Sequence, residues 1–258
     1  MKLNKYISCV IAIILLSFTS FALDTKTYEK SFKFDSNGSV NIENYKGEIN
    51  VEAWDKNEIY FYIEIVPDSS GDGFRNTPAK EQLERCKVVY DYDEKSLRIK
   101  TDYKNDAFGS NTLALVYFKI KMPASARLSI DDYKSGIKIE NLNSDLRLET
   151  YKGDVNLIKF GGSAEIETYK GEIKADISKL SGNYKFESYK GEIVITLPAD
   201  AAFSINFEFD GNGDYKSDFD IDVTDYHSEE GVRGNVNGGG PKIYYSTYKG
   251  EIKLHKRN

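Results

Sequence analysis

Five times the chain spells tyrosine, lysine, glycine, an acid and an aliphatic residue: Tyr45 to Ile49, Tyr151 to Val155, Tyr169 to Ile173, Tyr189 to Ile193 and Tyr248 to Ile252. A sixth copy, Tyr133-Lys134-Ser135-Gly136-Ile137, moves the glycine by one place and lacks the acid. If the copies stack, equivalent residues fall into columns. Tyr133, Tyr151, Tyr169 and Tyr189 would then form a ladder with Lys134, Lys152, Lys170 and Lys190 beside it. Exposed aromatic rings next to ammonium groups can stack on sugar rings or hold acidic glycans, which makes Tyr133, Tyr151, Tyr169, Tyr189, Lys152, Lys170 and Lys190 the candidate ligand-binding residues. The competing account is mechanical. Tyrosine and lysine would seal the edge of a coil, each lysine neutralised by the acid that follows its glycine.

The acids Asp154, Glu172 and Glu192 would form a column of their own, one rung apart. That spacing is close to the ~5 Å of a retaining glycosidase pair. Every solenoid with an acidic repeat position produces it, and neighbouring lysines would hold such carboxylates ionised, so the column defines no acid–base pair. Asp210-Gly211-Asn212-Gly213-Asp214 alternates oxygen donors as a calcium loop does, but Tyr215 and Ile221 stand where the turn glycine and the bidentate glutamate belong. A glycine-rich turn or a degenerate rung explains that segment. Gly231-Val232-Arg233-Gly234 lacks the strand-to-helix setting of a phosphate loop. With 2 His and 2 Cys in 258 residues there is no set of metal ligands, and no metal or other cofactor is expected. His227 and His255 are read as surface residues.

What positions these columns is legible from spacing and parity. The central copies recur every 18 to 20 residues, the period of a stacked array in which each unit contacts its neighbours. Leu146 and Leu148 share one parity with Thr150, whereas Val155 and Leu157 share the other, so the side-chain phase changes across Tyr-Lys-Gly. A bend there, permitted by glycine, makes each rung two short strands joined at a corner. Thr150 points inward and Tyr151 outward. The fold expected is all-β: one right-handed parallel β-solenoid domain over residues 23–258, with short two-strand rungs, regular at about 128–197. At most one short helix is expected, capped by Thr77, with Pro78 first and Glu81 to Arg85 following. Strands are also predicted at 31–34, 40–43, 49–54, 58–66, 87–92, 97–101 and 113–121. Asp68 to Gly73 and Lys104 to Asn111 read as flexible loops, Gly238 to Pro241 as a turn before the closing strand, and Lys253 to Arg257 as a solvated end.

Composition agrees. There are 19 Tyr and 20 Gly beside 5 Pro, a profile of strands and tight turns. A net charge of -6 gives no electrostatic reason to expect nucleic acid. The N-terminus carries Lys2 and Lys5, an apolar run from Ile7 to Phe21 and the small residues Ser20 and Ala22, which reads as a cleavable secretory signal over 1–22. That run is shorter than the ~20 residues of a membrane-spanning helix, and no second span follows. Export to the periplasm, the cell surface or the medium is therefore expected. Cleavage leaves Cys86 as the lone cysteine, read as a buried small side chain.

Three stretches carry a resemblance to a known family. Phe118-Lys119-Ile120-Lys121-Met122-Pro123 before Leu128-Ser129-Ile130, the repeat array, and Gly238-Gly239-Gly240-Pro241-Lys242-Ile243 before Thr247 to Ile252 are similar to the bacterial putative adhesin domain family, over most of residues 39–254. That family more often has serine or threonine where this chain has Tyr-Lys. The resemblance implies an exported, non-enzymatic, adhesive or envelope-associated protein and supplies no catalytic residues. The expected partner is a glycan or an envelope protein. The rival functions are a carbohydrate-active enzyme using the acidic column and an assembly factor that pairs through an open solenoid end.

Overall fold

The computed structural model describes residues 24–70, 77–104, 112–227 and 231–257. The expected signal segment, the loop at 105–111 and the glycines at 71–73 lie outside the described residues. The chain is all-β with one helix. The order is β1 (Lys26–Lys33), β2 (Ser39–Trp54), β3 (Glu58–Val66), α1 (Ala79–Arg85), β4 (Cys86–Asp93), β5 (Ser96–Tyr103), β6 (Leu115–Pro123), β7 (Arg127–Glu140), β8 (Leu146–Lys152) and β9 (Val155–Phe160). There follow β10 (Ala164–Lys170), β11 (Ile173–Ile177), β12 (Tyr184–Lys190), β13 (Ile193–Pro198), β14 (Phe203–Ser217), β15 (Asp222–His227), β16 (Gly231–Val236) and β17 (Lys242–Arg257).

Each central rung is two strands meeting at Tyr-Lys-Gly, and successive rungs pair in parallel and in register. The first halves run β7, β8, β10, β12, with Leu128 on Leu146, Leu146 on Ala164 and Ala164 on Tyr184. The second halves run β7, β9, β11, β13, with Ile137 on Val155, Val155 on Ile173 and Ile173 on Ile193. Alternation then decides what is buried. Leu146, Leu148, Val155, Leu157, Ile166, Ile173, Phe186 and Ile193 form the interior, whereas the tyrosines between the two runs face out. Burying each such aliphatic or aromatic side chain is worth ~1.5–3 kcal/mol, so the inward columns are the main source of stability.

Two features depart from a simple coil. Antiparallel strands flank the parallel array: β1 on β3, β3 on β6, β4 on β5, and β15 on β16 on β14. The rungs are also not stacked in chain order. β2 pairs with β7 although residues 55–126 separate them, because 39–43 and 49–54 form one long bent strand that repeats the β7 pattern. β17 lies between β12/β13 on one side and β14 on the other, so the last strand is an interior rung. Its end is correspondingly fixed rather than solvated: Leu254 is fully buried, and Arg257 pairs with Asp176 and donates to the Ile177 carbonyl at 2.9 Å.

The local signals were close but not complete. Helix α1 begins at Ala79 with Pro78 as the extended capping residue, and Thr77 does not cap it. The Thr77 carbonyl instead accepts a hydrogen bond from Gln82 Nε2 at 2.8 Å. Asp68, at the start of an expected loop, is anchored: its N–H donates to Gln82 Oε1 at 2.8 Å and its carboxylate pairs with Lys46.

The repeat glycine serves close approach more than bending. A Cβ placed on Gly171 would lie 2.0 Å from the Gly153 carbonyl oxygen, and one on Gly191 would lie 1.9 Å from that of Gly171. The same spacing holds at Gly250 over Gly191. In the shifted copy Ser135, not Gly136, occupies the register of Gly47. A Cβ on Gly136 meets nothing within 4 Å. Gly171→Ala should therefore cost about 3 kcal/mol or more, and Gly136→Ala within about 0.5 kcal/mol, measured as shifts in the urea midpoint.

Candidate functional site

Because every rung holds its tyrosine at the same place, the six rings form one continuous stack. Tyr45 and Tyr133 have centroids 4.6 Å apart and planes 7° apart. Tyr133–Tyr151, Tyr151–Tyr169, Tyr169–Tyr189 and Tyr189–Tyr248 follow at 5.0, 4.8, 4.8 and 4.9 Å, none tilted by more than 10°. The four predicted rings are thus brought together, and Tyr45 and Tyr248 extend the ladder at its two ends. Their motif copies were visible, but the insertions at 55–126 and 199–241 hid that they are neighbours in space.

The stack is closed at both ends. Tyr103 packs edge-on against Tyr45 at 5.9 Å, and the Tyr103 hydroxyl donates to the Ala114 carbonyl at 2.9 Å. At the far end Gly211 passes over Tyr248 so closely that a Cβ there would lie 3.3 Å from the ring. Asp210 to Asp214, the segment resembling a calcium loop, is the bulged corner of the final rung: Asn212 pairs with Lys249 and Asp214 with Glu251. Among the described residues no cluster of three His, Cys, Asp or Glu suits a metal ion. With ring faces turned on one another, the ladder presents ring edges and hydroxyls to solvent, Tyr151 being 38% and Tyr189 47% exposed. No ring within the stack offers a free face, since each lies against its neighbours.

The lysines also form a column, in register from Lys46 through Lys134, Lys152, Lys170 and Lys190 to Lys249. Neutralisation by the following acid is not what holds them. Glu172 pairs with Lys174 at 2.9 Å, and Lys253 bridges Glu192 and Glu251 at 2.5 and 3.2 Å. Both Lys174 and Lys253 have raised pKa values, chiefly through their hydrogen bonds to those glutamates. Lys46 is held by Asp68, and Lys152 Nζ stands 4.9 Å from the Tyr151 ring centroid. Glu172 and Glu192 are thus held in ion pairs, whereas Asp154 accepts the Glu172 N–H at 2.9 Å.

A cleft of about 1210 Å3 runs along the other flank of the ladder. One wall is the tyrosine stack. The opposite wall is a second, unanticipated carboxylate column: Glu43, Asp131, Glu149, Glu167 and Glu187, each in register with the next. The candidate lysines do not line it. Its sequence signal was present, since an acid stands two residues before Tyr45, Tyr133, Tyr151, Tyr169 and Tyr189 and shares their outward parity. Asp131 titrates above the ordinary range, first because it is partly buried and next because Glu149 and Glu43 are beside it.

Beneath the rings an inward column reads Asn44, Asp132, Thr150, Thr168, Ser188 and Thr247. Asp132 accepts hydrogen bonds from the Ser135 N–H at 2.8 Å, the Ser135 hydroxyl at 2.6 Å and the Thr150 hydroxyl at 3.1 Å. Burial outweighs these bonds and lifts its pKa from 3.8 to about 6. Cys86 is fully buried, as expected, and burial raises its thiol to about 11, which leaves it unreactive at neutral pH. His255 Nδ1 lies 3.0 Å from Asp218 Oδ2 at the surface, while the side chain of His227 lies outside the described residues.

A sheet-built protein with a long external cleft is the class that the fold and this face define. A family model described as Toastrack DUF4097 matches residues 116–255, and the chain belongs to that family. Among solved structures, a putative cell adhesion protein from Clostridium sporogenes is similar with a TM-score of 0.53 and 13% identity, covering 91% of this chain and 100% of that one. A putative adhesin from Bacteroides fragilis gives 0.41 and 12%, over 89% and 97%. The first of these likenesses shows a shared fold. No curated protein matches the chain. Among the described residues no helix is long and apolar enough to cross a membrane.

The half-buried Asp132 sets a pH dependence. A folded pKa above the unfolded one means the folded protein binds the proton more tightly, so this group's contribution is greatest below about pH 4 and is lost as pH rises through 6. Asp132→Asn should remove that slope and stabilise the protein at pH 7 by on the order of 2 kcal/mol, measured by urea unfolding of both proteins across that range.

Proposed function

We propose that this protein is an exported, non-catalytic interaction module of the cell envelope that binds a glycan or an envelope protein through the face carrying the tyrosine ladder and its lysine column. Residues 23–258 act as one elongated, right-handed parallel solenoid domain, delivered by a cleavable signal over 1–22. The observation that carries this reading is the stack of six rings. Five of them keep 38% to 49% of their surface exposed, an arrangement that core packing does not require. A contiguous exposed aromatic surface of that extent is a recognition feature. Family membership and the likeness to a structure called a cell adhesion protein support the same class of role. Catalysis is disfavoured by the pairing of Glu172 and Glu192 with lysines, which leaves that column without a free acid and base.

Replacing Tyr151, Tyr169 and Tyr189 together with serine tests the surface. Binding to a broad glycan array and to envelope fractions should fall at least tenfold while β-sheet circular dichroism is unchanged. Undiminished binding would assign the ladder to packing alone.

A further inference from the structure

The cleft beside the ladder has a charge and a period of its own. Asp or Glu occupies eight of its lining positions, the five of the carboxylate wall together with Asp102, Asp132 and Asp210, and Lys100 is the one basic residue that lines it. Lys100 pairs with Glu43 at 2.7 Å, and the other basic partners of the wall stand outside the cleft: Arg98 on Glu43, Arg147 on Glu149, and Lys185 on Glu187 at 2.7 Å. Arg98 and Arg147 are each more than 60% exposed, so these are surface pairs of small net energy that a ligand ammonium group can replace. Glu167 has no basic partner among the described residues. Negative potential thus accumulates along one straight wall, and it repels the acidic glycans that the lysine column alone would suggest.

The spacing selects the kind of cation. Wall carboxylates recur at each rung, ~4.8 Å apart, along five rungs or roughly 19 Å. An extended peptide returns a side chain to one face only every ~6.6 Å and slips out of phase within a few rungs. A 1,4-linked glucosamine chain advances by about one rung per sugar with alternate sugars turned over, so every second amine meets the wall and sugar hydroxyls meet the rungs between. Carboxylates facing phenol hydroxyls across the cleft supply acceptors and mixed donor–acceptors at each step, which suits sugar hydroxyl and ammonium groups.

We infer that the cleft between the tyrosine ladder and the Glu43–Glu187 column is a binding site for a linear amino-sugar polymer with free amines, laid along the array with about one sugar per rung. This rests on the proposed function in taking the ladder face as the contact surface, and it moves the ligand to the side away from the lysines.

Titration calorimetry with the full chain and three probes tests it: a 1,4-linked glucosamine hexamer, its N-acetylated counterpart and hexalysine. The glucosamine hexamer should bind saturably, at least tenfold more tightly than either of the others, and more tightly than the trimer. Combining Glu149→Gln, Glu167→Gln and Glu187→Gln should weaken it at least tenfold with unchanged circular dichroism. Combining Lys56→Gln, Lys95→Gln and Lys216→Gln, none of which lines the cleft, should not weaken it. Failure of the glucosamine hexamer to bind overturns the inference, as does equal affinity for the N-acetylated hexamer or for hexalysine. An insensitive glutamate variant or a sensitive lysine variant overturns it too. If the tyrosine variant loses envelope binding while the glucosamine hexamer fails to bind, the surface reading stands and the amino-sugar assignment alone falls.

Discussion

The distance between one rung and the next governs this molecule. Parallel strands in register settle ~4.8 Å apart, and at the corner that distance is reached only because the backbone of one rung rests against the carbonyl of the one before. Gly153, Gly171, Gly191 and Gly250 make the contact, each where a side chain would collide with backbone oxygen. Ring stacking follows from this spacing. Six tyrosines held at one corner position must lie 4.6 to 5.0 Å apart, which is also a favourable separation for offset aromatic rings.

Parity at the corner then divides the labour between two faces. Outward positions carry the rings and the carboxylate wall, and inward positions carry small polar residues where the two halves of the rung meet. The polar column carries its one charge at the half-buried Asp132, with three donors aimed at it, whereas Thr168 and Ser188 beyond it bury only a hydroxyl. Among the described residues those two hydroxyls have no partner. A leucine in their place would bring more bulk to a corner that is already at backbone contact, which gives a reason for small residues there.

The fold was legible where the pattern repeats within twenty residues. Parity placed Thr150 inside and Tyr151 outside, and the period placed β8 on β10 and β10 on β12. It failed where a rung is completed by chain from far away. Nothing in the local pattern of residues 242–257 distinguishes an interior rung from a terminal one, since both need one apolar face. The site divided in the same way. Tyr133, Tyr151, Tyr169 and Tyr189 were recognised as a ladder because they are evenly spaced. Glu149, Glu167 and Glu187 share the face of the tyrosines that follow them, but they lie outside the Tyr-Lys-Gly-acid motif, so the repeat signature does not mark them. The lysines were expected to be satisfied by that later column, but strand alternation sets Lys174 and Lys253 closer to it than the corner lysines are.

The place of β17 has a consequence for the order of events during biogenesis. A chain emerging N-terminus first presents β12 and β13 with unpaired outer edges, and β14 with nothing to dock on, until residues 242–257 have been made. Open edges of that kind invite pairing with other chains. The distal third of the array is thus withheld from folding until the whole chain is present, after which one strand joins both parts.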